Sequence, residues 1–110
     1  MPTARLGVSA RVRLPVVTEQ VRQTVDAMLQ KASLDIEAHA KAAAPVDTGF
    51  LKSSIKMEPV ETLHYRVTAY AHYAIYQEFG TRFMPAHPFM RPAVELVRAE
   101  LDTALRMVVA

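Results

Sequence analysis

The 110-residue sequence contains no cysteine and only three glycines. The absence of cysteine excludes disulfides, thiolate metal sites and a thiol nucleophile. The shortage of glycine argues against a glycine-rich phosphate-binding loop, so no cofactor is expected. No apolar run approaches the roughly 18 residues that a membrane-spanning helix needs, so no membrane partner is expected. A protein made in the cytoplasm is the simplest interpretation.

A strong charge bias is also missing, because 13 basic and 11 acidic residues leave a net charge of +2. This balance gives no sign of nucleic-acid binding by itself. The 51% hydrophobic content is typical of a folded chain, and the length predicts one domain, residues 1–110. We expect residues 1–17 to form an N-terminal strand or arm, and residues 18–110 a helix–sheet–helix body.

Hydrophobic periodicity predicts the main elements of that body. Apolar residues at every second position from Leu6 to Leu14 predict a strand that Pro15 ends. Thr18 is a helix-capping residue, and the apolar spacing of three and four that follows predicts a helix of roughly 25 residues. Pro45 should end this helix, because a proline disfavours helical geometry in the residue before it.

The second half of the chain alternates again and then returns to helical spacing. Residues 51–57 and 65–69 predict an antiparallel pair of strands, with a turn at "EPVET" between them. Gly80 should close a short helix as a left-handed cap, and Pro92 should lie in the first turn of a final helix. The predicted fold is therefore α+β. A small antiparallel sheet of three or more strands packs with one long helix in the N-terminal half, a short middle helix and a C-terminal helix.

The triplet Asp47-Thr48-Gly49 also occurs in dimeric aspartic proteases, where two carboxylates share a proton. That fold is nearly all β and uses a glycine-rich flap, whereas here a long helix precedes the triplet. We interpret the triplet as a turn between a helix and a strand. Asp47 should accept backbone hydrogen bonds from residues 48–50, and Gly49 should have a positive φ. The dimeric protease stays as a remote alternative.

Other chemistry has weak support in the sequence. The four histidines lie in different predicted elements and form no short ligand pair, so no metal site is expected. A nucleic-acid-binding module is a second alternative, using an N-terminal arginine face with the tyrosines between residues 65 and 76. That arginine face comprises Arg5, Arg11, Arg13 and Arg22.

The loop "RFMPAHPFM" is unusually rich in proline and large apolar residues. Large apolar side chains in a loop dock either onto the fold or onto a partner. We predict that Phe89 is a core anchor, and that Phe83 and Met84 belong to an interface. Arg11 and Arg13 are further candidate interface residues.

Three motifs occur in a characteristic order: "PVDTGFL", then "YAHYAIYQEFGT", then "PFMRPA". In this order and spacing, over roughly residues 20–105, the chain resembles the small tail-component family of long-tailed bacteriophages and prophages. These proteins are also described as tail-completion or head–tail joining (neck) proteins. The matching positions are Pro45, Asp47, Thr48, Gly49, Leu51, Ile55, Tyr73, Glu78, Gly80, Thr81, Pro88, Phe89, Arg91, Pro92 and Ala93.

The resemblance implies a structural role in the virion, with no catalytic residue. It implies a ring, usually six-fold, at the head-proximal end of the tail, with DNA passing through its lumen. The implied partners are other copies of the chain, a portal-side connector or stopper protein, and the tail tube or tail terminator protein. The N-terminal strand lies outside the pattern that the resemblance covers.

Arg91 carries a further expectation. An arginine in the first turn of a helix faces the positive end of the helix dipole, which is unfavourable unless an acidic group answers it. We therefore predict a contact between Arg91 and a carboxylate, either Glu78 or an acid of a neighbouring subunit.

Overall fold

The computed structural model describes residues 5–44 and 50–109, which form three strands and four helices. The fold class is α+β, as predicted. The elements in chain order are β1 (Leu6–Arg11), α1 (Glu19–Ala43), α2 (Phe50–Ser54), β2 (Ile55–Glu61), β3 (His64–Ala69), α3 (Ala74–Phe79) and α4 (Met90–Val109).

The sheet is antiparallel and has the order β1-β3-β2, so the N-terminal strand joins it as an edge. In the register, Ala69 of β3 faces Leu6 of β1 and Ile55 of β2. Because side chains alternate between faces, the apolar residues of all three strands share one face, which packs on α1. The opposite face carries polar residues such as Ser9 and Arg66.

Helix α1 has the predicted boundaries. The Thr18 hydroxyl accepts a hydrogen bond from the Val21 N–H at 3.2 Å, and this bond caps the first turn. At the other end Ala44 has φ −66° and ψ 139°, which is extended backbone before Pro45. The apolar stripe of α1 is buried from Val25 to Ala40 against the sheet and α4.

Two boundaries in the second half differ from the prediction. Residues 50–54 form the short helix α2, so the strand predicted from Leu51 begins only at Ile55. Leu51 and Ser54 are both buried, and their spacing of three suits a helical turn as well as a strand pattern. The predicted turn at "EPVET" is also wrong, because β2 continues through Pro59, which an edge strand tolerates.

The core lies between the sheet, α1 and the start of α4. Phe89 is completely buried there beside Met90 and Val97, which confirms its predicted role as a core anchor. Pro92 lies in the first turn of α4, also as predicted. The fully buried residues of the C-terminal helix therefore lie in its first two turns, and Leu101 further along packs partly buried against the core.

Asp26 fastens the turn between β2 and β3 to α1. Its carboxylate accepts hydrogen bonds from the Leu63 N–H at 2.8 Å and from the Tyr65 hydroxyl at 3.0 Å. Leu63 has φ 64°, a conformation that few residues other than glycine adopt. The Asp26 side chain is half-buried and holds this strained turn.

Alkaline pH should weaken the fold through Tyr65. Burial, and then the hydrogen bond to Asp26, raise the pKa of this tyrosine above its ordinary 10.0. The folded state therefore holds the proton more tightly, so this contribution is complete below pH 10 and is lost as pH rises through the folded-state pKa. Tyr65→Phe should lower the unfolding free energy by about 1 kcal/mol at neutral pH.

Urea unfolding at about pH 8 and about pH 11 measures this difference. The native chain should lose more stability than Tyr65→Phe between the two pH values. Equal losses in both chains would show that another group controls the alkaline transition.

Candidate functional site

A buried carboxylate joins α3 to the start of α4. Glu78 is 6% exposed, and its Oε1 accepts hydrogen bonds from the N–H groups of Phe89 at 3.0 Å and Met90 at 2.8 Å. Its Oε2 accepts a third from the Arg91 N–H at 3.2 Å. The first N–H groups of a helix have no partner within the helix and carry partial positive charge. Glu78 supplies both the acceptors and the opposite charge.

Gly80 turns the chain immediately after α3. Its N–H donates to the Tyr76 carbonyl at 2.8 Å, and its φ of 75° confirms the predicted positive value. Its ψ of 176° differs from that of the predicted left-handed cap and belongs to a region that essentially only glycine occupies. A Cβ at this position would lie 2.8 Å from the Ala86 nitrogen and 2.9 Å from the Met84 oxygen. A side chain is therefore excluded here on two grounds.

Main-chain hydrogen bonds fix the loop of residues 80–88, which we call the clamped loop. The Thr81 N–H donates to the Met84 carbonyl at 2.8 Å, and the Thr81 hydroxyl accepts from the Phe83 N–H at 3.2 Å. The His87 N–H donates to the Gln77 carbonyl at 2.7 Å, which ties the loop back to α3. Glu78, which lies before the loop, binds Phe89 and Met90 immediately after it. Together these bonds hold the loop in one conformation.

The clamped loop presents aromatic side chains to solvent. Phe83 is 89% exposed, and Phe79 at the end of α3 is 62% exposed. The Arg82 guanidinium lies 5.5 Å from the centre of the Phe83 ring. Large apolar side chains held in the open by a rigid segment are typical of an interaction surface. Phe83 is therefore accessible to a partner, whereas Met84 is half-buried, and the interface role of both residues stays a prediction.

A family model described as "Bacteriophage HK97-gp10, putative tail-component" matches residues 13–80, which is more than half of the chain. The chain belongs to this family of phage tail components. It is therefore a structural protein of a phage tail, a part of the virion that contacts other phage structural proteins. Comparison with curated proteins and with solved structures gives no match.

Arg91 of this tail component does not make the predicted side-chain contact. Its guanidinium is exposed and forms no ion pair with a carboxylate in residues 5–44 and 50–109, so the pairing with Glu78 within the chain is wrong. Glu78 contacts Arg91 through the main-chain N–H instead, because the helix start itself offers the donors. A contact between the Arg91 side chain and a neighbouring subunit stays a prediction.

The other predicted motif positions of the tail component are mostly structural. Leu51, Ile55 and Ala93 are buried in the core, and the Tyr73 ring lies 6.3 Å from the ring of Phe50. Pro88 is exposed at the end of the clamped loop. The residues Pro45, Asp47, Thr48 and Gly49 lie outside the described part of the chain, so the turn predicted there stays a prediction.

The structure separates most, though not all, of the residues of the nucleic-acid alternative. Arg11 lies 3.8 Å from Glu61, and Arg22 lies 3.9 Å from Glu19 on α1, so two of the four arginines already face an acid. Arg13 is exposed, and Tyr65 is buried on the inner face of the sheet. Arg5, in contrast, lies with its guanidinium 4.8 Å from the centre of the Tyr70 ring, so one arginine and one tyrosine of this alternative do meet.

No cluster of three or more potential metal ligands occurs in the described ranges 5–44 and 50–109. Nor does any helix in those two ranges combine the length and apolarity needed to cross a membrane.

Two hydrogen-bonded contacts between α1 and the sheet were not predicted from the sequence. Glu37 on α1 accepts a hydrogen bond from the Met57 N–H of β2 at 2.8 Å, and Asp26 holds the turn at Leu63. Both acids lie among the polar residues of an amphipathic helix, where nothing in the sequence separates them from solvated carboxylates.

Proposed function

We propose that this tail component is a head–tail joining, or tail-completion, subunit. In this proposal it assembles as a ring, six-fold in symmetry, at the head-proximal end of the tail. A portal-side connector or stopper protein lies on one side of the ring, and the tail tube or terminator protein on the other. DNA passes through the lumen, and the chain has no catalytic role.

The observation that carries the proposal is the clamped loop with its exposed Phe83, next to the exposed Phe79 at the end of α3. A head-to-tail ring requires each subunit to present one surface that fits a different surface of its neighbour. An exposed apolar loop can serve this purpose only if it keeps its shape before the neighbour arrives, because ordering a loop on binding opposes association. The hydrogen bonds of Glu78, Thr81 and His87 supply that order in advance.

Electron microscopy of assembled particles tests the location. A gold-labelled peptide tag on this chain should mark the head-proximal end of the tail, and the averaged density there should show a closed ring. Label along the tube or at the distal tip would rule out the joining role, although the chain would still be a tail component.

Phe83→Ser should block assembly without destabilising the isolated chain. Phe83 is 89% exposed in the free subunit, so replacing its side chain should change the unfolding free energy by less than about 0.5 kcal/mol. Truncating an aromatic anchor of an interface costs about 2 kcal/mol or more per contact, so particles should accumulate as unjoined heads and tails. Counting joined particles by negative-stain microscopy measures the effect.

Val16→Ser is the matched control, because Val16 is also apolar and fully exposed but belongs to the segment between β1 and α1. It should leave the number of joined particles unchanged. Normal joining with Phe83→Ser would exclude the clamped loop as the contact surface.

A further inference from the structure

The two edges of the sheet differ. At the β2 edge the outward N–H of Met57 is already bonded to Glu37 at 2.8 Å, and Pro59 has no N–H to offer. Carboxylates, prolines and bulges are the usual ways in which proteins prevent a sheet edge from pairing with another chain. The register shift between Pro59 and Glu61 adds a bulge at the same edge. The β2 edge is therefore closed to further strands.

The β1 edge is open. N–H groups alternate sides along a strand, and the Val12 N–H donates toward β3, to the Leu63 carbonyl at 3.0 Å. By alternation the main-chain groups of Gly7, Ser9 and Arg11 point away from β3. All three residues are exposed, and β1 pairs only with β3 in the described part of the chain. These three alternate residues thus present main-chain donors and acceptors that no other strand pairs in the described part of the chain.

An apolar groove of about 400 Å³ lies beside this edge, between β1, α1 and α4. A volume in this range is large enough to receive side chains or a small ligand. Its apolar lining includes Val8, Ala10, Leu29, Val97 and Leu101. Arg98 and Asp102, one turn apart on α4, also line the groove. An added strand would therefore find hydrogen-bonding groups at its edge and apolar surface on its inner side.

We propose that a second copy of this chain occupies the β1 edge. Because the β2 edge is closed, two copies can pair edge to edge only through β1 and β1, antiparallel about a two-fold axis. The axis passes between the two Ser9 residues, so Gly7 of each copy faces Arg11 of the other. The result is a continuous six-stranded sheet.

This register is self-complementary, as a two-fold contact requires. Each Arg11 faces a glycine, so no like charges lie directly opposite each other across the new strand pair. On the inner face Val8 of each copy faces Ala10 of the other, which extends the apolar surface over both grooves. Arg98 and Asp102 add opposite charges to the same region. A two-fold axis can bring Arg98 of each copy toward Asp102 of the other.

The dimer is independent of the head–tail joining proposal. A two-fold contact joins two copies and stops, whereas a cyclic ring needs head-to-tail contacts that repeat. The β1 pairing therefore covers the open edge in the free protein, and it would hold even if the chain acts elsewhere in the tail.

Ser9→Cys tests the pairing directly, because the native sequence contains no cysteine. Hydrogen-bonded partners in an antiparallel pair have Cα atoms roughly 5.5 Å apart, which lies within the range that a disulfide spans. Light scattering of the native chain should give twice the chain mass. Mild oxidation of Ser9→Cys should convert it to a covalent dimer that reducing agent reverses.

Thr62→Cys is the control, because Thr62 is exposed at the turn beyond β2 and lies away from the axis. Slow or absent cross-linking is expected there. A native chain that is monomeric at about 100 μM, or a Ser9→Cys chain that cross-links no faster than Thr62→Cys, overturns the proposal.

A pair of proline variants separates the dimer contact from the fold. The Ser9 N–H points away from β3, and an edge strand tolerates proline at such a position, so Ser9→Pro should fold. It removes two hydrogen bonds per dimer, one from each copy, and should raise the dimer dissociation constant roughly thirtyfold. Ala10→Pro, one residue further on, removes a ladder bond to β3 and should lower the melting temperature instead. Dimerisation of Ser9→Pro at the native dissociation constant would exclude the β1 contact.

Discussion

Glu78→Ala is expected to lower the free energy of unfolding by about 3–5 kcal/mol. The side chain accepts three main-chain hydrogen bonds at the start of α4, and Phe89 and Met90 are buried. Each buried donor left without an acceptor costs about 1–3 kcal/mol, and the helix also loses its favourable charge. Since small domains have only 5–15 kcal/mol of stability, the melting temperature should fall by roughly 15–25 °C.

Glu78→Gln is the graded control for this prediction. It keeps the shape and one carbonyl acceptor but loses the charge, so a loss of about 1–2 kcal/mol is expected. Urea unfolding of the three chains measures the series. If Glu78→Ala loses less than about 1 kcal/mol, the carboxylate does not anchor α4 in the way described here.

Gly80→Ala is expected to destabilise the chain by a similar amount, about 3–5 kcal/mol. With φ at 75° and ψ at 176°, the backbone occupies a region whose strain for other residues is about 1–3 kcal/mol. The new Cβ would also meet the main-chain atoms of Ala86 and Met84 below 3.0 Å. Overpacking against such atoms adds about 1–3 kcal/mol, because backbone atoms move less easily than a flexible side chain.

Gly7→Ala is the matched control, since it makes the same substitution in ordinary strand geometry. Its Cβ would lie 3.2 Å from the Thr68 hydroxyl oxygen, a side-chain atom that can shift. A change below about 1 kcal/mol is expected in thermal unfolding. A small effect of Gly80→Ala, comparable with that of Gly7→Ala, would mean that the clamped loop can relax.

Long elements with clear periods could be predicted from the sequence. Helix α1 has a capping threonine, an uninterrupted apolar stripe and a proline after its end, and both its boundaries were predicted correctly. The strand at Leu6 was predicted from alternation alone, although it ends at Arg11 and not at Leu14, and its pairing with β3 was not predicted. In these segments local preference and burial favour the same structure.

Short segments could not be predicted as well, because few residues define their period. Residues 51–54 alternate like a strand, yet Leu51 and Ser54 also fit one face of a helical turn. Pro59 suggested a turn, whereas the structure places it in an edge strand, where its missing N–H costs nothing. Whether such a segment becomes a helix, a strand or a turn depends on the elements that pack against it, and periodicity gives no information about them.

The candidate site was only partly visible in the sequence. The motif around Glu78 and Gly80 was identified, and Phe83 was predicted to be an interface residue. The target of Glu78 was not predicted, because a carboxylate that binds main-chain N–H groups needs no partner side chain at a fixed spacing. For the same reason the contact with Glu78 was predicted for the Arg91 side chain, whereas the Arg91 main-chain N–H makes it.

Helix α4 is a rod of 20 residues, about 30 Å long, with a different surface at each part. Its first residues are bonded to Glu78 of α3, immediately before the clamped loop, and one side further along forms a wall of the groove beside β1. Helix α4, which is stiff, therefore fixes the orientation of Phe83 relative to the β1 edge. In any assembly that uses both surfaces, the tilt of α4 would fix the angle between one subunit and the next. Shortening or kinking α4 would then change the curvature of the assembly while leaving both surfaces intact.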